Sequence, residues 1–421
     1  MMWEKVKLGD IASFSNGINF NKTAYEKGVK LIGVSNFGDR FYPDYLQLQE
    51  VKKDIVRPED CLRNGDIVFV RSNGNKELVG RCMLVKNPTE RVTYSGFCIR
   101  ARLNDTDRYD PVYFTYYFKS KAFRRAVSGT AVGANIQNLS QARLSNHDCN
   151  VPDIETQHRI ADILSAYDDL IENNQKQIKL LEEAAQRLYK EWFVDLRFPG
   201  HENTKIVDGV PEEWSKNPIQ DFISYEIGGG WGEELQNEKS MIPAYVIRGT
   251  DIKGLVNGQL QSVPYRYHTA GSLETRKLRD GDIVFEVSGG SKTEGVARTV
   301  RIIDLMLKTW ENSVICASFC KRIKPIPSFS QYLYDSFRWM RLNGKTQEYD
   351  KKSASSIVNY RWKDFLAQEK ILKPDEETIS RYNNIAGTIY TKIIVCSCQI
   401  EQAKMKRDLL LPKLMNGEVE V

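Results

Sequence analysis

The chain has 421 residues, 41% of them hydrophobic and 27% charged, which is enough for two to four globular domains. It contains no run of about 18 apolar residues and no apolar secretion segment at its N-terminus, so a cytoplasmic protein without a membrane span is expected. Eight cysteines without a C-x-x-C pair and four histidines predict reduced thiols and no metal site, and the net charge of +5 permits nucleic-acid binding only through a local patch.

The first predicted domain, residues 1–151, mixes short β-branched and aromatic runs with turn signals. Asn64-Gly65 precedes the run Asp66–Val70, which predicts a tight turn into a strand. Tyr113–Phe123 is rich in aromatic residues and has few breakers, which predicts a helix. We therefore expect an α/β or α+β domain, and the sequence does not give its sheet topology.

A polar segment follows the predicted strand. It offers short polar or basic side chains on a glycine-containing backbone: Arg71, Ser72, Asn73, Asn75 and Lys76. Amides can read adenine edges, and lysine can contact guanine or phosphate, so the segment is a candidate DNA-binding loop. A plain polar hairpin loop is the alternative, and the sequence does not decide between the two.

Residues 128–141 form a second candidate loop, dense in Gly, Ser and Asn. Asn135 and Gln137 are its predicted DNA contacts, and Arg124 and Arg125 beside it are predicted phosphate contacts. The loop ends near Asn138, which could instead cap the helix that follows.

The segment 152–196 predicts a long helix. It has no Gly or Pro between Gln157 and Asp195, and its apolar residues recur on a heptad that includes Ile171, Ile178 and Leu181. A linker, residues 197–213, contains Pro199-Gly200 and leads into the second half of the chain.

The second half repeats the first. Leu278–Lys292 matches Leu62–Lys76 at 10 of 15 positions, and landmarks before and after the match keep their order. A repeat unit of more than 200 residues is far longer than a solenoid repeat, so it is a whole module present twice. The second copy predicts a domain over 214–372 and a long helix over 373–421.

The second copy supplies the corresponding candidates. Its predicted DNA-binding residues lie in two loops, and Lys345 is a predicted phosphate contact. The loop residues are Ser288, Ser291, Lys292, Thr293, Lys351, Lys352 and Ser353. As in the first copy, a capping role is the alternative for the asparagine of the second loop, Asn359.

The two long helices carry matching heptads, with Ile393, Ile400 and Leu410 in the second. Matching seams within one chain predict an antiparallel coiled coil, which gives the molecule a pseudo-twofold repeat. The alternative is that each helix only covers its own domain. A helix of about 39 residues spans about 58 Å, which exceeds the diameter of such a domain and favours the coiled coil.

No catalytic motif is found. The sequence has no G-x-x-x-x-G-K-[ST] phosphate loop, no dinucleotide fingerprint and no recognisable nuclease or methyltransferase cluster. A binding module is therefore favoured over an enzyme.

The arrangement of domain, long helix, domain and long helix resembles the specificity subunits of type I restriction-modification enzymes. Three segments carry the resemblance most specifically: Pro152–Ala161 (PDIETQHRIA), Leu188–Val194 (LYKEWFV) and Leu410–Glu418 (LLPKLMNGE). Trp3 and Trp214 resemble the entries to the two recognition domains.

The resemblance implies a division of labour. Each globular domain would read one half of a split double-stranded DNA site, and the helix pair would fix the spacer and dock two modification subunits. Those subunits would bind S-adenosylmethionine and methylate adenine, and restriction subunits would use ATP and Mg²⁺, so no cofactor is expected on this chain. Two competing hypotheses are a stand-alone restriction enzyme and an adaptor that bridges two proteins without reading DNA.

Overall fold

The computed structural model describes residues 3–38, 40–73, 78–128, 138–255, 260–289, 295–352 and 357–421. The chain forms two compact units. The first unit is Met1–Asp169 with Ala403–Val421, and the second unit is Leu170–Gln402. Each unit thus contains one globular domain together with a segment of each long helix.

The strands of the first unit form two sheets and one isolated pair. The antiparallel four-stranded sheet has the order Ala12–Asn16, Cys98–Leu103, Ile67–Val70, Cys82–Leu84. The three-stranded sheet has the order Gln49–Val51, Tyr25–Ile32, Val92–Tyr94, and its last two strands are parallel. Glu4–Lys7 pairs with Asp148–Val151, which joins the start of the unit to the segment before the first long helix.

The second unit has the same sheets in the same order. Its four-stranded sheet runs Ile223–Gly228, Cys320–Pro325, Ile283–Glu286, Thr299–Arg301. Its three-stranded sheet runs Tyr265–His268, Ile242–Ile247, Ser313–Cys316, again with a parallel final pair. Ser215–Pro218 pairs with Lys370–Lys373, and a further sheet joins Ser288–Gly289, Val358–Tyr360 and Asp350–Lys352. The internal repeat predicted from the sequence therefore extends to strand order and direction.

Short helices surround these sheets. Those of the first domain are Leu8–Ile11, Pro111–Lys119, Lys121–Ser128 and Gln141–Ser145, with 3₁₀ turns at Lys22–Ala24, Val34–Asn36, Lys53–Ile55 and Pro58–Asp60. Those of the second are Ile252–Leu255, Ala270–Arg276, Asp304–Leu307, Ser330–Leu342 and Trp362–Gln368, with 3₁₀ turns at Ile219–Phe222, Leu260–Ser262, Pro327–Phe329 and Lys345–Tyr349.

The segment between the domains, predicted as a linker, has structure of its own. A 3₁₀ turn at His201–Asn203 is followed by a two-residue hairpin of Ile206–Val207 with Val210–Pro211. Phe198 is buried in the core of the second unit, with its ring centroid 4.6 Å from that of Trp214. The segment is therefore partly packed against the domain that it enters.

The two long helices are Ile154–Phe193, the central helix, and Glu376–Met415, the C-terminal helix. Both begin in the same way, because Asp153 and Asp375 each accept a hydrogen bond of 2.8 Å from the backbone N–H three residues later, at Thr156 and Thr378. This bond lowers the pKa of Asp153, since it stabilises the carboxylate.

The helices pack in opposite directions. In the first unit, Ile160 and Leu164 near the start of the central helix share a core with Leu414 near the end of the C-terminal helix. In the second unit, Trp192 near the end of the central helix contacts Tyr382 near the start of the C-terminal helix, with ring centroids 5.7 Å apart. The predicted mixed fold, with two long helices paired as an antiparallel coiled coil, is confirmed.

The predicted helix seam is mostly buried. Ile171, Ile178, Ile393 and Ile400 are buried, while Leu181 and Leu410 are partly exposed. Among the described residues, no helix is long and apolar enough to cross a membrane.

Candidate nucleic-acid interface

The most similar stretch of the two halves is a turn that enters the central strand of each four-stranded sheet. Gly65 and Gly281 have φ of +86° and +83°, a conformation that favours glycine. The next residue, Asp66 or Asp282, accepts a hydrogen bond from a backbone N–H at the start of its turn, at 2.7 and 2.8 Å. The same carboxylates pair with Arg102 and Arg322 on the neighbouring strand, so the turn fixes where the strand begins.

Each of these strands leads to a backbone junction. In the first unit the N–H groups of Arg71 and Ser72 donate to the carbonyl oxygen of Phe97, at 2.8 and 3.4 Å. In the second unit the N–H groups of Val287 and Ser288 donate to the Phe319 carbonyl, at 2.9 and 3.2 Å. The two candidate loops that follow the strands thus leave their sheets in the same way.

The second candidate loop of each unit returns to the same place. Asn138 lies opposite Ser72, and the N–H of Leu139 donates to the Arg71 carbonyl at 2.9 Å. The two loops, more than 50 residues apart in sequence, therefore meet side by side, which the sequence did not predict.

The second unit repeats this pairing residue by residue. Asn359 lies opposite Ser288, the N–H of Tyr360 donates to the Val287 carbonyl at 2.9 Å, and Ser288 Oγ donates to Asn359 Oδ1 at 2.8 Å. We call these paired segments the loop junctions. Their residues are Arg71, Ser72, Phe97, Asn138 and Leu139 in the first unit, and Val287, Ser288, Phe319, Asn359 and Tyr360 in the second.

The alternative that Asn138 and Asn359 cap the following helices is wrong. Helix Gln141–Ser145 is capped by Ser140, whose Oγ accepts from the Arg143 N–H at 3.1 Å. Helix Trp362–Gln368 has Arg361 at its N-cap position. Both asparagines instead belong to the loop junctions.

Many of the predicted DNA-binding residues lie outside the described residues. These are Asn75, Lys76, Asn135, Gln137, Ser291, Lys292, Thr293 and Ser353. One end of each of the four loops, at Ser72, Asn138, Ser288 and Asn359, lies in a loop junction.

The remaining predicted contacts have varied surroundings. Arg71 is half-buried and donates to the Gly96 carbonyl at 3.2 Å, and Asn73 follows it at the edge of the described segment. Lys351 is exposed on a strand beside Asn359, and Lys352 follows it on the same strand.

The three predicted phosphate contacts also differ. Arg124 and Arg125 are on helix Lys121–Ser128, the first half-buried and the second exposed. Lys345 is 2.9 Å from Glu348 and 3.6 Å from Glu369, and the hydrogen bond to Glu348 raises its pKa. Its charge is therefore largely compensated within the protein.

Sequence reasoning missed a cleft at the loop junction of the second unit. The cleft has a volume of about 470 Å³ and is lined by Val287, Ser288, Lys321, Asn359, Tyr360, Arg361, Trp362, Lys363 and Asp364. Three of these residues are cationic and one is acidic, so the cleft suits an anion. Asp364 lies 3.6 Å from Arg361, and Lys321 lies 3.7 Å from Glu226, whereas Lys363 is exposed.

The sequence pattern explains why these cleft residues were not predicted. The predicted DNA-binding residues were the polar side chains of loops that occupy corresponding positions in the two halves. Lys321, Arg361 and Lys363 correspond instead to Ile99, Ser140 and Ala142 in the first copy. These cations lie outside the predicted loops and have no basic counterpart in the first copy, although an exposed arginine and lysine directly after the predicted second loop could have been considered.

Comparisons with known proteins agree with this arrangement. Residues 2–183 match the family described as the type I restriction modification DNA specificity domain. The chain is 27% identical over 356 residues to the type I restriction enzyme MjaIX specificity subunit of Methanocaldococcus jannaschii, covering 82% of this chain and 76% of that protein. It is 30% identical over 237 residues to the HindI specificity subunit of Haemophilus influenzae, covering 53% of this chain and 47% of that protein.

The fold has a counterpart among solved structures. The crystal structure of a type I restriction-modification system S subunit from M. genitalium superposes with a TM-score of 0.61 at 14% identity, covering 98% of this chain and 96% of that one. At this identity the likeness concerns the fold. Together the comparisons confirm the resemblance seen in the sequence: the chain is similar to the type I restriction enzyme specificity subunits over most of its length, and residues 2–183 match the DNA specificity domain of that family.

Proposed function

We propose that this chain is the sequence-specific DNA-binding subunit of a type I restriction-modification complex. Each unit reads one half of a bipartite double-stranded site. The observation that carries the proposal is the duplicated loop junction, which brings the ends of two polar segments together at the same position in both units. Base edges in a groove are read by such closely placed polar side chains, while basic residues nearby contact phosphates.

The long helices provide the docking surface for two modification subunits in this proposal. The helices bury their seam, yet they keep several large apolar side chains exposed, which is typical of surfaces that another protein covers. These side chains are Leu170, Leu180, Ile385, Met405 and Leu409.

Catalysis belongs to the partner subunits in this proposal. S-adenosylmethionine binds the modification subunits, ATP and Mg²⁺ bind the restriction subunits, and this chain holds none of them. The complex works in the cytoplasm, which accords with all eight cysteines being free thiols. The purified chain alone should therefore show no nuclease, ATPase or methyl-transfer activity.

Mapping of methylated adenines across the genome of a strain that carries this chain and its partners tests the proposal. We expect methylation at one bipartite sequence and its loss when the chain is deleted. Duplex binding by the reconstituted complex should also weaken steeply with salt, because phosphate contacts release counterions. An adaptor that does not read DNA would give neither result.

Substitutions in the loops of one unit test whether the two units recognise their half-sites independently. Joint replacement of Asn73, Asn75 and Lys76 should change or abolish recognition of one half-site and leave the base preference at the other intact. Joint replacement of Lys292 and Thr293 should do the converse. Equal changes at both half-sites after either replacement would contradict modular reading.

A further inference from the structure

Phe97 and Phe319 occupy the same position in the two units. Each is the third residue of a tight turn between a parallel-paired strand and the four-stranded sheet. The turns are closed by hydrogen bonds of 2.8 Å from the Cys98 N–H to the Ser95 carbonyl and from the Cys320 N–H to the Ala317 carbonyl. Both rings are exposed, at 64% for Phe97 and 56% for Phe319.

The turns are firmly held. Gly17 passes so close to the first turn that a Cβ atom would lie 2.2 Å from the Tyr94 carbonyl oxygen, and at Gly229 it would lie 2.1 Å from the Ala317 carbonyl oxygen. The N–H groups of both glycines donate to the carbonyls of the cysteines that end the turns. Each aromatic ring is therefore presented from a fixed backbone beside a loop junction.

The fold does not require an aromatic side chain at these positions. Phe97 and Phe319 contribute to the junctions through their backbone carbonyls, which any residue would supply. A single exposed phenylalanine is ordinary. Its recurrence is less ordinary, because two of the four other junction positions differ between the copies, Arg71 against Val287 and Leu139 against Tyr360.

The chemistry of DNA offers a reason for the recurrence. An apolar ring next to a groove can insert between base pairs and unstack them in part, which anchors the protein without reading a particular base. Residues that differ between the units suit the reading of two different half-sites, whereas a shared ring suits a contact that both half-sites offer.

We propose that Phe97 and Phe319 are apolar wedges that insert against the stacked bases of their half-sites and anchor each unit independently of base identity. The inference rests on the proposed DNA-binding function. It assigns a role to two residues that lie outside the polar loops.

The test uses the complex of the full chain with its modification subunits and a duplex that carries the methylated site. Phe97→Ala and Phe319→Ala should each weaken binding by roughly 5- to 100-fold, the range found when aromatic contacts to bases are removed. The affinity ratio between this duplex and duplexes with one altered half-site base pair should stay unchanged. Phe97→Trp should retain binding, because a larger ring can still insert.

Two exposed apolar residues elsewhere, Leu46 and Leu235, serve as matched controls. Leu46→Ala and Leu235→Ala should bind DNA as the wild type does, and thermal unfolding should show that all variants fold. 2-Aminopurine placed at a half-site position that is not methylated should brighten on binding, and Phe97→Ala should abolish this signal at one half-site only.

Unchanged affinity of both alanine variants would overturn the wedge, and so would an altered base preference, which would instead make the rings base readers. In either case the wild-type complex still binds its site, so the proposed function stands. Failure of the wild-type complex to bind any duplex would overturn the proposed function and the wedge with it.

Discussion

Asp66 and Asp282 lie in the stretch where the two halves are most similar in sequence, and each stabilises the turn before a strand. Each carboxylate closes a turn through a backbone hydrogen bond and pairs with an arginine on the next strand, Arg102 or Arg322. Both carboxylates are buried, and burial raises the pKa of Asp282. These identical aspartates therefore keep the start of the strand in place, and most of the positions that differ lie at or beyond the end of that strand.

Replacement of Asp66 by Ala should destabilise the protein by about 3 kcal/mol, because it leaves a partly buried arginine and a turn N–H without their acceptor. Urea unfolding measures the change. The control is Asp148→Ala, which removes an exposed pair with Lys5 and should cost much less than Asp66→Ala, because solvent screens that pair. A cost for Asp66→Ala no larger than that of the control would contradict a structural role for this pair.

Lys363, the exposed lysine of the cleft, can be compared with Lys345, whose charge is compensated by two glutamates. Lys363→Gln should reduce the slope of log affinity against log salt by about 0.9, the contribution of one phosphate contact on B-DNA. Lys345→Gln should change it much less, because two glutamates already neutralise Lys345. Salt titrations of duplex binding by the complex measure both slopes. A larger change for Lys345→Gln would show that this lysine leaves its carboxylates to contact DNA.

At the scale of elements, the predictable part of the fold was the part encoded by local patterns. Matching heptads indicated both long helices, the absence of Gly and Pro further indicated the central one, and Asn64-Gly65 indicated a turn whose glycine has positive φ. The loop junctions could not be predicted, because backbone hydrogen bonds carry no side-chain signature and join segments far apart in sequence. The cleft was missed because its cations lie outside the polar loops that the sequence indicated.

Buried side-chain hydrogen bonds and an ion pair connect helices in the two units. In the first unit Asp168 of the central helix accepts from Tyr116 Oη at 2.6 Å and pairs with Arg407 of the C-terminal helix. In the second unit Asp335 accepts from Tyr382 Oη at 2.8 Å and from Gln331 Nε2 at 2.9 Å. These bonds fix how each domain meets its helix segments.

Asp335 should make stability depend on pH. Burial raises its pKa to about 6, above its ordinary value of 3.8, so the folded state holds a proton that the unfolded state releases. Its contribution to stability is therefore largest below about pH 4 and falls by about 2–3 kcal/mol as the pH rises through 6. Asp335→Asn should be more stable than the wild type at pH 7 and equal to it near pH 4, since an amide oxygen still accepts both bonds.

Urea unfolding midpoints between pH 4 and 8 measure this difference. Glu238→Gln, a change at an exposed carboxylate, provides the control and should follow the wild-type profile. A constant gap between Asp335→Asn and the wild type at every pH would contradict the proton-linked mechanism.

At the scale of the whole molecule, the duplication supplies one scaffold twice and two different surfaces. Sheet order, the aspartate turns and the loop junctions recur in both units, whereas the three cations of the cleft in the second unit have uncharged residues at the equivalent positions of the first. Under the proposed function, this combination predicts a bipartite site with unequal half-sites and a spacer that depends on the segments connecting the two units. The long helices are the elements that run through both.

The length of the central helix should therefore set the spacer. Insertion of four residues after Asn174, a buried position of the seam, lengthens that helix by about 6 Å, close to two base-pair steps of ~3.4 Å. Binding to the original site should be lost or weakened. Any regained binding should need a spacer changed by one or two base pairs, while both half-site sequences stay the same.

Duplexes that differ only in spacer length measure the optimal spacer. Four residues inserted between Asp208 and Gly209, at the turn of the short hairpin outside both helices, are the control and should leave the optimum unchanged. Unaltered affinity of the Asn174 insertion variant for the original spacer would show that the helices do not set the distance.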